Sequence, residues 1–344
     1  MAQSQLPFPP HFEPEKAGKI WRVPYQERAK QAQRWRQKHD LQAVQNDKLG
    51  ICLITVDVQN TFCIPGFELF VAGRSGTGAV DDNRRLSEFI YVNLHLITQI
   101  CPTMDTHQPI QIFHSVFLVN KKGEHPDPYS IISEEDIRKG VWTINPEICS
   151  QLNIDETYGQ NHLFNYTRKL KEGKKYDWTI WPYHAMLGGI GHALVSTVEE
   201  AIFFHSIARN SQPNFQVKGN NPFTEQYSAL GPEVLEEPDK KPLLKKNTQF
   251  IDIVTQFDLV IIAGQAKSHC VAWTIEDLLE DPLIQERGFT NKVYLLEDCT
   301  SPVVVPDVVD YTDQTEATFR KFSAAGIHLV RSSDPIEAWP DIPL

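Results

Sequence analysis

The hydrophobic pattern of this chain alternates between short continuous apolar runs and stretches with helical spacing. Residues 259–263 (Leu-Val-Ile-Ile-Ala) contain no polar interruption, as expected of a parallel strand covered on both faces. Gly264 ends the run and a polar loop follows. From Cys270 onward, Val271, Thr274, Ile275, Leu278 and Leu279 recur along one helix face. Residues 51–56 form a second apolar run that stops at Asp57. The same reasoning predicts strands at 100–104, 110–119, 215–217, 292–296 and 327–331. It predicts helices at 81–100 (capped by Asp81 or Asp82), 193–208, 247–256 and 310–325. Strands alternating with helices predict an α/β fold of three layers, α/β/α, around a mainly parallel sheet. Functional groups in such a sheet gather beyond the C-terminal strand ends.

Residues 1–48 are rich in Pro, Gln, Arg and Lys. They read as an N-terminal arm with a polar helix over 27–39, placed against the domain or a second subunit. The domain then runs over 49–344, with polar insertions at about 121–178 and 231–248; the first is expected to act as a lid or subunit contact, and a homo-oligomer is expected. A formal charge of −11 argues against a nucleic-acid partner, which would want a basic face. No apolar run approaches the ~20 residues of a membrane span, so no membrane partner is expected. The first residues lack the basic and apolar regions of a secretory signal, and none of the six cysteines forms a Cys-x-x-Cys pair. Both features point to reduced thiols in the cytoplasm.

Cys270 is expected at the first turn of a helix that follows a strand, where free N–H groups and the helix dipole lower a thiol pKa. It is the candidate nucleophile. Asp57 and Lys218 each end a predicted strand and are candidate partners, the first as base and the second as cation. On local pattern alone, Asp57 also suits a turn and Lys218 a solvated strand end; Lys245 and Lys246 are alternative cations. Asp105-x-His107 and His184 combine carboxylate and imidazole, a set that suits zinc, iron or manganese, with His114 as a possible further ligand. Phe62 and Trp181 sit beside these groups in sequence and suit either a sandwich around a flat ring or ordinary core packing. His125, His162, His192 and His205 have no comparable partner.

Taken in order, these segments resemble the isochorismatase-like cysteine hydrolases, and among them most nearly the nicotinamidases. Val56-Asp57-Val-Gln-Asn-Thr-Phe62-Cys is similar to the family's strand-end aspartate motif. Asp105-Thr-His107 resembles its Asp-Trp-His metal motif, and His114-Ser-Val-Phe the segment after it. Trp181-Pro-Tyr-His184 resembles Trp-Pro-x-His. Lys218-Gly-Asn-Asn-Pro, continuing to Tyr-Ser-Ala, resembles the lysine motif, and Gly264-Gln-Ala-Lys-Ser-His-Cys270-Val the nucleophile loop. The resemblance implies a catalytic triad of Asp57, Lys218 and Cys270, and an oxyanion hole from the amides of Ala266 and Cys270. It also implies a cis peptide between Gln265 and Ala266. A divalent metal, zinc before iron or manganese, would sit on Asp105, His107 and His184, with the substrate ring between Phe62 and Trp181.

The implied activity is hydrolysis of nicotinamide, or a similar small carboxamide, to acid and ammonia through a Cys270 thioester. Hydrolysis of isochorismate or of another amide or carbamoyl compound is the alternative within the superfamily, and a non-enzymatic binding module the alternative outside it. The sequence departs from the family pattern at Thr106, Ala185, Gly189, Lys267 and Ser268. Lys267 is expected to place an extra cation beside the sulfur.

Overall fold

Six short strands pair, all in parallel, into one central sheet: β1 (Ile51–Val56), β2 (Gln99–Asp105), β3 (Gln216–Lys218), β4 (Leu259–Gly264), β5 (Val293–Leu296) and β6 (His328–Val330). Their spatial order is β3-β2-β1-β4-β5-β6. The computed structural model describes residues 5–286 and 288–342.

Both faces of the sheet are covered, which explains the unbroken apolar runs. Cys52, Ile54, Val56, Val260 and Ile262 face one core, shared with Ile275 and Leu278 of α5 (Ala272–Glu280) and Phe319 and Phe322 of α6 (Thr312–Ala324). Leu53, Ile261 and Ala263 face a second core. That one is shared with Leu86, Phe89 and Ile90 of α2 (Gly78–Val92) and with Val198, Ala201 and Ile202 of α4 (Ser196–Arg209). Each fully buried side chain of this size contributes about 1.5–3 kcal/mol over exposure.

The chain order of the strands reverses between β1 and β4, so the connections leaving these strands part and open a crevice at their C-terminal ends. Asp57 follows β1 and Gln265 follows β4, which puts both beside that crevice. Gly264 makes the close pairing possible. Its φ is +116°, and a Cβ there would lie 2.1 Å from the Val56 carbonyl oxygen.

The N-terminal segment packs on this framework. Within α1 (Tyr25–Lys38), Ala32 and Trp35 are buried in the same core as α2 and α4. Arg28 Nε lies 2.7 Å from Glu200 Oε1 on α4, and the Trp21 N–H donates to Ser196 Oγ at 2.9 Å.

Two expectations need correction. The strand at 110–119 is mostly loop, with a single helical turn at Ser115–Phe117 and two strand residues, Leu118–Val119, because Phe113, Phe117 and Leu118 bury in a third core rather than in the sheet. The helix expected at 81–100 is α2; it begins earlier, after Thr77, and ends before β2, so neither Asp81 nor Asp82 caps it. Asp82 is buried and accepts from Arg85 and Gln265. The polar stretch at 121–178 carries α3 (Glu156–Glu172), capped by Asp155, whose Leu163, Tyr166 and Leu170 bury in the third core with Ile137, Ile148 and Trp178. All six cysteines are free and buried. Among the described residues, no helix is long and apolar enough to cross a membrane.

Gly264→Ala combines a disallowed φ with a backbone clash, and should cost roughly 3 kcal/mol or more. Urea denaturation should show the loss, or the variant should fail to accumulate as folded protein. A variant as stable as the parent would mean that β1 and β4 do not pair this tightly.

Candidate active site

The candidate side chains converge because three strands end at the same edge. Asp57 occupies a left-handed turn after β1, with φ of +45°. Thr103 on β2 holds it twice: the Asp57 N–H donates to Thr103 Oγ1 at 3.0 Å, and the Thr103 hydroxyl donates to Asp57 Oδ1. Lys218 ends β3 in direct register with Asp105 at the end of β2. Its Nζ lies 2.9 Å from Asp57 Oδ2, 3.0 Å from Asp105 Oδ1 and 3.6 Å from Cys270 Sγ, and it donates to the Gln226 carbonyl at 3.0 Å. The Asp57 carboxyl and the Cys270 thiol lie close enough to shift each other's proton affinity. Cys270 itself sits in a π-helical turn, Lys267–Val271, immediately before α5. The peptide joining Gln265 and Ala266 is cis.

Burial dominates the proton affinities. It pushes the Asp57 carboxyl above its usual range, against the opposing pull of Lys218. Burial also works to raise Asp105, but His107 and Lys218 overcome it and hold that carboxyl well below the usual range. Lys218 keeps its proton: burial opposes the charge, and Asp105 and Asp57 together outweigh it. Burial raises the Cys270 thiol well above its ordinary value; Lys218 pulls it back, and the Asp57 and Asp105 carboxylates work against that pull. This corrects the expected low thiol pKa.

Beyond β2, His107, His114 and His184 bring ligand nitrogens to within 4.8 Å of one another, and all three side chains are buried. Each ring is oriented by a backbone carbonyl facing Nδ1: His184 O for His107 at 3.2 Å, Pro109 O for His114 at 3.1 Å, and Pro182 O for His184 at 2.7 Å. That fixes the proton on Nδ1 and leaves Nε2 with its lone pair. Nε2 of His107 and of His114 has no hydrogen-bond partner despite burial. Asp105 borders the group, with Oδ1 3.1 Å from His107 Nε2 and Oδ2 3.8 Å from His184 Nε2. Gly219 (φ +81°) passes so close that a Cβ would sit 2.6 Å from Asp105 Oδ1. Three aligned, unprotonated nitrogens beside a carboxylate fit a divalent transition metal. His114 therefore belongs with His107 and His184, while Asp105 divides its carboxylate between this group and Lys218.

Cys270, Ala266, Asp105 and His184 open into one cavity of about 370 Å³, with Phe62, Trp181 and Tyr227 in its walls. Trp181 Nε1 donates to the Tyr227 hydroxyl at 3.0 Å.

The yeast nicotinamidase Pnc1p, in a structure with the inhibitor nicotinaldehyde, is similar with a TM-score of 0.51 at 18% identity, over 82% of this chain and 99% of that one. A second structure of the yeast nicotinamidase gives 0.50 at 19% identity, over 81% and 99%. An Acinetobacter baumanii nicotinamidase/pyrazinamidase gives 0.48 at 19% identity, over 84% and 99%. This chain has the isochorismatase-like hydrolase fold. No protein-family model matches the sequence, and no curated protein matches it.

Within this isochorismatase-like fold, one neighbour of Cys270 behaves unlike the sequence reading. Lys267 turns away from the sulfur: its Nζ pairs with Glu316 at 2.7 Å and lies 4.4 Å from the centre of the Phe319 ring. His269 lines the cavity, ringed by Tyr176, Trp181, Tyr227 and Tyr311, and burial lowers it to about 3. Lys245 and Lys246 lie outside the cluster, and His192 pairs with Thr106 Oγ1 at 2.8 Å. Glu225 and the segment 303–306 also line the cavity. Glu225 lies inside the lysine motif, where its spacing carries no signal of burial. The 303–306 segment reads only as a loop.

Two outcomes follow. Alkylation of Cys270 by iodoacetamide should keep rising with pH past 9, because the neutral thiol persists until its raised pKa is reached; a plateau already complete at pH 6 would contradict the geometry. His114→Ala should weaken zinc affinity at least ~10-fold in a chelator competition, whereas His125→Ala should leave it unchanged.

Proposed function

We propose that this chain is a metal-containing cysteine amidohydrolase that converts nicotinamide, or a similar small carboxamide, to the acid and ammonia. The observation that carries the reading is the Lys218 ammonium, 2.9 Å from Asp57 and 3.6 Å from the Cys270 sulfur, beside the cavity that Cys270 lines. The fold shared with nicotinamidases adds to it.

In this reading Asp57 takes the thiol proton as the sulfur attacks the amide carbonyl. A carboxylate whose pKa is already raised is the stronger base for that transfer. Lys218 stays charged and balances the negative charge that moves between oxygen and sulfur. The carbonyl oxygen, as it becomes anionic, takes hydrogen bonds from the amides of Ala266 and Cys270, worth about 3–4 kcal/mol each. Asp57 returns its proton to the departing nitrogen, which leaves as ammonia. It then accepts a proton from the water that opens the thioester, and the acid is released with the thiol restored. A divalent ion held by His107, His114 and His184, with Asp105 beside them, would supply a Lewis-acid anchor for a ring nitrogen. Zinc suits the nitrogen-rich donor set. Phe62 and Trp181 would hold the ring in place.

Cys270→Ala should abolish ammonia release from nicotinamide, and Asp57→Asn or Lys218→Met should reduce it about 10⁴-fold, as loss of a triad member does elsewhere. Chelation should lower it too, with zinc restoring it. Ammonia release that survives Cys270→Ala would refute the mechanism.

A further inference from the structure

The cavity is larger than the proposed reaction needs. One-ring ligands such as benzene fit an apolar cavity of about 150 Å³. The 370 Å³ here falls instead in the range of about 300–1,000 Å³ typical of multi-ring ligands. The reacting residues and the ring-holding aromatics supply only part of the lining. Much of the remainder comes from two loops: Phe67, Leu69 and Phe70 after the first strand, and Val303, Val304 and Val305 near the C-terminus.

These loops form a built wall. Val304–Val305 pairs in antiparallel register with Val309–Asp310, and the Val303 N–H donates to Ser268 Oγ in the nucleophile loop at 3.0 Å. Arg74, on the segment that continues from Phe70, reaches Asp310 at 2.7 Å and Asp313 at 3.0 Å, tying one loop to the other. Among the described residues no lysine or arginine lines the cavity, and the lining groups Glu68, Asp105 and Glu225 are all carboxylic.

Resting on the amidase reading, we infer that this space is an apolar subsite. It selects a carboxamide whose ring carries an uncharged apolar extension, such as a fused second ring, in preference to nicotinamide itself. An anionic extension would meet carboxylates with no cation to pair with. An apolar one exchanges water for Phe67, Phe70 and the valines, at about a factor of 4 in affinity for each CH₂ buried.

The test is calorimetric titration of the full-length Cys270→Ala chain, loaded with zinc, using nicotinamide and quinoline-3-carboxamide. The two-ring amide should bind roughly 10-fold tighter or more, and Val304→Trp on the same background should bring the ratio of affinities toward one. Equal affinities, preference for nicotinamide, a ratio that survives Val304→Trp, or no binding of either amide would each overturn the subsite. Ammonia release from nicotinamide and from quinoline-3-carboxamide by the unmodified chain decides the parent reading separately. Its absence with both amides would remove the amidase while leaving the affinity ratio to judge the subsite.

Discussion

One buried ammonium organises the site. Lys218 carries its charge in a place where an isolated ion would cost several kcal/mol, and it survives there because Asp57, Asp105, the Gln226 carbonyl and the Cys270 sulfur surround it. The arrangement is only as good as the sheet register. Asp105 and Lys218 are opposed residues on neighbouring parallel strands, and Val56 is opposed to Gly264 on another pair. A slip of one residue in either pairing would turn a charged side chain to the other face of the sheet. The glycine contact between β1 and β4 and the charge cluster are thus two ends of one constraint, the first setting where the second can form.

Burial first, and the charge cluster after it, favour a resting thiol over a thiolate. The two carboxylates add to the cost of an anion on sulfur, and Lys218 offsets part of it. Burial likewise makes Asp57 a stronger base, with Asp105 adding to it against the pull of Lys218. Proton transfer from sulfur to Asp57 leaves the total charge unchanged and moves the negative charge onto the atom that attacks. A ground state with a neutral thiol can therefore belong to a working nucleophile, provided the base beside it is buried with it.

Much of this was legible in the sequence, for physical reasons that also mark the limits. Strands covered on both faces must be apolar without interruption, so β1 and β4 stand out, and the polar residue that ends such a run is necessarily near the crevice. The mainly parallel sheet and its helical layers followed from that alternation. The strand expected at 110–119 did not form, because an apolar run reports burial and not the partner that buries it. The helix α3 escaped notice because its apolar positions serve a small separate core within a polar segment, although Leu163, Tyr166 and Leu170 keep helical spacing. His114 lies on an irregular loop, where no period relates it to His107 or His184. Sequence neighbours misled most at the nucleophile: Lys267 lies three positions before Cys270, yet the π-helical turn sends its ammonium to Glu316.

Segments distant in sequence pack close to this turn. Tyr176, at the end of the 121–178 stretch, donates its hydroxyl to the Ser268 carbonyl at 2.7 Å and packs on His269. Lys175 lies 3.8 Å from the centre of the Trp273 ring on α5 and pairs with Glu233 at 3.5 Å and Asp277 at 3.9 Å. From the C-terminal side, Tyr311 closes on His269 and Val303 bonds Ser268. The loop that carries the sulfur is therefore braced from two separate parts of the chain. A π-helical turn is a poor structure on its own, since its hydrogen bonds do not propagate into a regular helix. External bracing supplies what the local sequence cannot, and it ties the position of the nucleophile to the order of segments that contribute no reacting atom.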